Sequence, residues 1–203
     1  MKHLSFQKSG LYLTWTIAFI ITIVLFSCES QENLRELPPL TDKELIKRGE
    51  YIINMGACHD CHSPKIMTEK GPVPDPERLL SGHPKDEKLP DINGPQEWVL
   101  FSGGATSYVG PWGQSFAANL TPDDTGIGNW SFDNFKRALR QGKYKGIEGG
   151  RDLAPPMPWQ FYRHISDDDL YALFAYLKSL PPVDNLVPAY ISPDKLATNS
   201  KKQ

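Results

Sequence analysis

The chain begins with one long apolar run, and its remaining apolar positions fall into short periodic stretches. Residues 11–26 are almost wholly apolar and follow a start that carries Lys2 and Lys8. This run of 16 residues is shorter than the ~20 that a membrane-spanning helix prefers. A basic start before a short apolar run is typical of a secretory signal. We therefore predict a signal peptide over residues 1–27 and an exported remainder.

The first periodic stretch predicts a helix that begins near residue 41. Thr41 and Glu44 have the spacing of a capping box, in which hydroxyl and carboxylate satisfy free N–H groups at the helix start. The apolar face then follows at helical spacing with Leu45, Gly49, Ile52 and Ile53. Glycine weakens an isolated helix by up to ~1 kcal/mol. Gly49 therefore indicates the close approach of another helix, the alternative being a surface glycine without a packing role.

Two later stretches predict helices over residues 131–141 and 167–179, each with one apolar face. Gly142 is placed to end the first helix, and Pro181-Pro182 prevents continuation of the second. The apolar positions are Phe132, Phe135, Ala138 and Leu139 in the first, and Leu170, Leu173, Phe174 and Leu177 in the second. Residues 183–203 show no such period and are predicted to be an extended tail.

Residues 63–128 show no sustained period and contain nine of the 18 prolines and nine of the 16 glycines. We predict a long ordered loop region there, with short helical or strand pieces. Such loops in a compact domain are usually functional or wrap around something. Hydrophobic residues make up 39% of the chain, and β-branched runs are few, which favours an all-α fold of short helices and long loops. The net charge of −2 and the lack of a basic patch indicate no nucleic-acid partner.

The first of three cysteines lies at the end of the apolar run, in Leu25-Phe26-Ser27-Cys28. This segment resembles a bacterial lipoprotein cleavage site, in which the cysteine becomes the new N-terminus and carries lipid. The resemblance implies lipidation of Cys28 and a polar tether over residues 28–39. An uncleaved membrane anchor is the alternative.

The other two cysteines belong to Cys58-His59-Asp60-Cys61-His62, the pattern of c-type haem attachment. Two thiols one helical turn apart reach the two vinyl groups on one edge of the macrocycle. His62 then supplies an imidazole nitrogen to the iron. Two alternatives use the same residues, a thioredoxin-like dithiol and a structural zinc site, which needs four ligands.

In its order of elements the chain resembles a class I c-type cytochrome. That family has an N-terminal helix, the attachment motif at its end, a long loop, a methionine ligand and a C-terminal helix that crosses the first. The resemblance implies a cytochrome c domain over residues 40–182 with one covalent haem c. It also implies a helix crossing built from Gly49 and Tyr51 with Tyr171 or Phe174.

The segment Ala154-Pro155-Pro156-Met157-Pro158-Trp159 lies just before the last helix, where the family places its axial methionine. Pro156 fixes its own φ, and Pro158 keeps Met157 out of helical geometry. The result is a stiff loop that presents a thioether, so Met157 is the predicted second iron ligand beside His62. Met157 as a core gap filler is the alternative. Competing ligands are Met67, His83 and His164.

Further segments within residues 100–182 are similar to haem domains in cytochrome subunits of bacterial periplasmic dehydrogenases. They are Asn119–Asp123, Thr125–Gly128, Trp130-Ser131 and the proline-rich methionine segment. Trp130, Trp159 and Tyr162 are candidates for the haem pocket, and Arg137, Arg140 and Arg151 are candidates for pairing with haem propionates. Asp123 and Asp124 do not have EF-hand spacing and indicate a turn or cap.

These features favour an electron carrier that is not itself an enzyme. An iron with six ligands has no open place for a substrate, and a thioether ligand favours the ferrous form. The implied partners are a dehydrogenase or terminal oxidase component, and the implied location is the periplasmic face of a bacterial membrane. A haem peroxidase, a gas or redox sensor with a displaceable sixth ligand, and a haem-free zinc or thiol protein are the rivals.

Overall fold

Six helices make up most of the regular structure in the residues that the computed structural model describes, 40–69, 71–89 and 99–199. In chain order they are α1 (Asp42–Met55), α2 (Cys58–His62), α3 (Phe132–Gln141), α4 (Trp159–Tyr162), α5 (Asp167–Ser179) and α6 (Pro193–Asn199). The signal peptide 1–27, the tether 28–39 and Cys28 lie outside the described residues. In the described part of the chain, none of the helices combines the length and apolarity needed to cross a membrane.

The three long helices begin and end close to where their capping residues predict. Thr41 and Glu44 form a complete capping box, and Ser131 forms one with Asn134. The Ser166 hydroxyl accepts a hydrogen bond from the Asp169 amide at 3.1 Å. These side chains satisfy amides that have no partner within the helix. The helices predicted at 131–141 and 167–179 are thus confirmed.

The region 63–128 contains strands, so the expected all-α fold is wrong for this part of the chain. An antiparallel hairpin, β1 (Lys65–Thr68) and β2 (Gly71–Pro74), directly follows the cysteine motif. An antiparallel sheet of order β3-β4-β5 follows, with β3 (Leu100–Phe101), β4 (Ser107–Gly110) and β5 (Gly113–Phe116). Strands of two to four residues are too short to show an alternating pattern, and β4 is buried throughout. The strands are therefore not visible as a period in the sequence.

α1 and α5 cross at Gly49, as its position on the apolar face predicts. A Cβ atom at residue 49 would lie 2.2 Å from the Ala172 carbonyl oxygen and 2.5 Å from the Tyr176 Cβ. Only glycine allows this approach of the two backbones. Of the aromatic residues expected there, Tyr51 and Tyr171 are 54% and 49% exposed. The aromatic residue whose Cβ comes closest to Gly49 is Tyr176 of α5.

The hydrophobic core is continuous with this crossing. Phe174, the other aromatic expected at the crossing, packs against Phe132 and Phe135 of α3, with ring centroids 5.7 and 5.3 Å away. α3 thereby joins the crossed helices. The buried cluster consists of Ile53, Leu80, Ile127, Phe135, Leu139, Leu170, Leu173 and Leu177.

The C-terminal tail is not simply extended, since it pairs with the sheet and then forms α6. Ile191 makes an antiparallel bridge with Gln114 of β5. Asn185 is buried, and its side-chain amide donates to the carbonyl oxygens of Ser81 (2.6 Å) and His83 (2.9 Å). The tail therefore ties two parts of the 63–128 region together. Without an apolar period, its sequence carries no signal of these contacts.

Candidate haem-binding site

The cysteine motif forms its own short helix, α2, after a sharp change of backbone direction. Ala57 adopts φ 52 and ψ 31, in the left-handed region, which separates α2 from α1. Cys58 and Cys61 then lie on one face of α2, because residues three apart in a helix are neighbours. Both are partly buried free thiols. The local fold therefore presents two thiols side by side, as attachment to one edge of a haem requires.

One hydrogen bond to a loop distant in sequence fixes the orientation of the His62 ring. Its Nδ1 lies 2.8 Å from the Ala118 carbonyl oxygen. A carbonyl oxygen can only accept, so Nδ1 carries the proton and Nε2 keeps the free lone pair. Burial lowers the pKa of His62, although its bond to Ala118 opposes the shift, and this favours the neutral ring. A neutral imidazole held through Nδ1 suits an iron ligand, so the residues fit a haem.

The Ala118 carbonyl is itself held in place by backbone hydrogen bonds on both sides. Leu120 N donates to the Leu80 carbonyl (2.8 Å), and His83 N donates to the Ala117 carbonyl (2.9 Å). Gly82 N donates to the carbonyl of His62 (2.7 Å). The segments around residues 80–83 and 117–120 thus hold both the backbone and the ring of His62.

The cysteine thiols do not have the properties of a redox-active dithiol. Burial raises the pKa of the Cys58 thiol to about 11, with further contributions from Cys61 and Asp60. Reactive dithiols need the opposite shift, which favours the thiolate. Within residues 40–69, 71–89 and 99–199, no group of three or more His, Cys, Asp or Glu could hold a metal ion. A structural zinc site thus lacks its four ligands there.

Two tyrosines lie against the cysteines, and one of them was missed by sequence reasoning. Tyr162 was a pocket candidate, and its hydroxyl donates to the Gly56 carbonyl at 2.7 Å. Tyr108 of β4 is 3% exposed. Burial raises the pKa of its phenol, with the neighbouring Cys61 as a further cause, and its hydroxyl donates to the Ala105 carbonyl. A fully buried strand gives no sequence signal that one of its aromatic residues faces the motif.

Met157 is partly buried beside the hydrophobic core. Two hydrogen bonds anchor the segment that precedes it: the Ser115 hydroxyl donates to the Pro155 carbonyl (2.6 Å), and Leu153 N donates to the Gly142 carbonyl (2.6 Å). The Trp159 ring covers Gly142, where a Cβ would lie 2.3 Å from a ring atom. The loop is therefore rigidly held, and the ligand role of Met157 stays a prediction.

The competing candidates for the iron ligand are either exposed or packed against other residues. Met67 is 78% exposed on β1, and His164 is exposed. His83 is buried, its Nδ1 lies 2.9 Å from the Thr106 hydroxyl, and its ring packs against Phe116 with centroids 5.0 Å apart. His83 thus has a packing role in the region 63–128.

The candidate arginines all have partners within the described chain. Arg137 donates to the Gly146 carbonyl (2.7 Å), Arg140 pairs with Asp167 (2.6 Å), and the Arg151 guanidinium lies 3.6 Å from the Tyr144 ring centroid. Trp130 packs against the core.

The turn predicted at Asp123 and Asp124 is present. Asp123 accepts hydrogen bonds from the Thr125 amide (2.8 Å) and hydroxyl (2.6 Å), while Asp124 accepts from Asn129 (3.1 Å).

The chain is similar to parts of several larger proteins. It is 46% identical over 80 residues to a nicotinate dehydrogenase subunit of Pseudomonas putida, which is 39% of this chain and 6% of that protein. It is 35% identical over 133 residues to the gluconate 2-dehydrogenase cytochrome c subunit of Pantoea cypripedii, 65% of this chain and 22% of that one. It is 31% identical over 136 residues to the cytochrome c subunit of alcohol dehydrogenase (quinone) of Gluconobacter oxydans, 66% and 21%.

The chain therefore spans less than a quarter of the length of each of these relatives. No protein-family model matches it. Together with the geometry around His62, the relatives support a cytochrome c-type domain and haem c as its cofactor.

Proposed function

We propose that this chain is an exported, membrane-anchored c-type cytochrome with one haem, which carries electrons between a dehydrogenase and a respiratory acceptor. One observation carries the proposal: the Nδ1 bond of His62 to Ala118 leaves Nε2 for iron inside a Cys-x-x-Cys-His helix. When bound, haem c supplies an iron that accepts and releases a single electron.

In this proposal the residues of the chain hold and orient the haem. Cys58 and Cys61 would form the two covalent links, and His62 and Met157 would supply the two protein ligands of the iron. With both ligands bound, no open site would be left for a substrate, which favours a carrier over a peroxidase or sensor. The sequence contains one attachment motif, so we propose one haem.

The partner and the location are proposed on separate grounds. Two relatives are named as cytochrome c subunits of dehydrogenases, which favours a dehydrogenase as the electron donor. A terminal oxidase component is the proposed acceptor. The signal pattern of residues 1–27 and the lipidation pattern at Cys28 favour the periplasmic face of a bacterial membrane, with a lipid anchor.

The test is an oxidised and reduced absorption spectrum of the full chain, made in a host that attaches haem c. We expect one covalent, low-spin haem whose methionine–iron charge-transfer band disappears in Met157→Ala. The band should persist in Met67→Ala, because Met67 is exposed on β1.

Other spectra would contradict parts of the proposal. A high-spin wild type that binds carbon monoxide would favour the peroxidase or sensor. A band that survives Met157→Ala would show the ligand assignment to be wrong. A chain without covalent haem would exclude the proposed function altogether.

A further inference from the structure

Lys65 lies three residues after His62, and its ammonium group turns back onto α2. Its Nζ donates to the carbonyl oxygens of His59 (3.0 Å), Asp60 (2.9 Å) and Ser63 (2.6 Å). The last carbonyls of a helix have no partner within it, and a cation there is favourable. Lys65 thus closes the C-terminal end of the helix that carries the cysteines and His62.

The group that makes these contacts is the charged form of the side chain. Three donated hydrogen bonds use all three hydrogens of an ammonium, whereas a neutral amine has only two. Burial lowers the pKa of Lys65, and the acidic neighbours Asp60 and Cys61 oppose that shift. Two of its acceptors, the carbonyl oxygens of Asp60 and Ser63, lie on either side of His62 in the chain, so the charge lies close to the histidine.

No carboxylate within salt-bridge distance neutralises the Lys65 charge in the described part of the chain. Lys65 lines a surface cleft of about 620 Å³ together with Arg78 and Lys85. Arg78 pairs with Asp75 at 2.8 Å, and Lys85 pairs with Asp184 at 3.4 Å. The hydrogen-bond acceptors of Lys65 are neutral carbonyls. Its positive charge therefore remains to act on the His62 side of the site.

We propose that Lys65 raises the reduction potential of the iron held by His62, an inference that rests on the proposed function. One electron from the redox partner converts ferric to ferrous iron and lowers the charge at the iron by one. A fixed cation nearby disfavours the more positive ferric state. Lys65 thus favours the reduced form without being a ligand.

The test is a redox titration of the haem-loaded full chain with Lys65→Gln. We expect the ferrous-to-ferric ratio at a fixed applied potential to fall about threefold to tenfold. Lys65→Arg keeps the charge and should stay near the wild-type potential. Lys43→Gln is the matched control, since it removes the same charge near the start of α1 and should leave the potential unchanged.

An unchanged potential in Lys65→Gln, together with a lower melting temperature, would overturn the proposal and leave Lys65 as a helix cap only. An equal fall in Lys65→Arg would also contradict a charge effect. If Lys65→Gln does not fold, Lys65→Met, which keeps an unbranched apolar side chain without the ammonium group, carries the same prediction. Wild-type protein without covalent haem would instead show that the proposed function is wrong.

Discussion

At the scale of single residues, the chemistry of the site could be predicted from the sequence wherever it depends on side chains that are close in sequence. The spacing of the motif is enough to identify Cys58, Cys61 and His62 as candidate haem-binding residues. The Ala118 carbonyl does not, because it is a backbone acceptor 56 residues from His62. The acceptors of Lys65 are backbone groups as well. Any residue type provides a carbonyl, so no pattern in the sequence marks these partners.

At the same scale, the burial of His83 determines how it contributes to the pH dependence of folding stability. Burial lowers the pKa of His83, and the nearest carboxylate oxygen, of Glu87, lies 3.6 Å from its Nδ1. The folded state thus favours the neutral ring, while the unfolded chain titrates near pH ~6.5. The contribution of His83 to stability is fully present above that pH and is lost as the pH falls through the lower folded pKa.

We therefore predict that His83→Asn flattens the dependence of stability on pH between about 7 and 5. Asparagine retains a polar group for the Thr106 hydroxyl but does not titrate. Denaturant unfolding at several pH values measures the effect. His164→Asn, at an exposed position, is the control and should keep the wild-type profile. An unaltered acid slope in His83→Asn would exclude this role.

At the scale of elements, the long helices were predictable and the strands were not. These helices, α1, α3 and α5, are ten to fourteen residues long, and each has a side-chain cap and one apolar face, so its local signal is repeated. Strands of at most four residues, one of them buried throughout, give no such signal. Gly49 predicted the crossing of α1 and α5. Its partners Ala172 and Tyr176 could not be predicted, because they depend on the position of α5 along the axis of α1.

Gly49→Ala tests that crossing. Alanine favours an isolated helix by up to ~1 kcal/mol, yet here its Cβ would meet the Ala172 carbonyl oxygen at 2.2 Å. Backbone atoms cannot yield cheaply, so we expect the free energy of unfolding to fall by about 2–3 kcal/mol. Gly103→Ala, where an added Cβ meets nothing within 4 Å, should change it by less than ~0.5 kcal/mol. Equal effects of the two substitutions in denaturant unfolding would contradict a close helix approach.

At the scale of the whole molecule, the tail connects segments that are distant in sequence. Asn185 accepts a hydrogen bond from the Lys85 amide (2.9 Å) and donates to the Ser81 and His83 carbonyls. Asn119, beside the Ala118 carbonyl that holds His62, donates to the tail at the Val183 carbonyl (2.9 Å). The surroundings of His62 thus include residues from the C-terminal part of the chain.

Asn185→Ala should therefore lower the stability of the fold by more than the small size of the asparagine side chain suggests. Three polar contacts are lost at once, and buried groups are left without partners, so we expect a loss of about 2–4 kcal/mol. Asn129→Ala removes a single exposed contact with Asp124 and is the matched control. Thermal unfolding compares the two variants. A melting temperature equal to that of the control would show that the tail is only loosely attached.

The position of the tail also has a consequence for synthesis. The chain is made from its N-terminal end, so residues 183–185 follow His62 and Ala118. Their contacts with Asn119, Ser81 and His83 can form only after these residues have emerged. A chain made only as far as residue 180 lacks these contacts, so the packing of α1 to α5 alone does not complete the surroundings of His62.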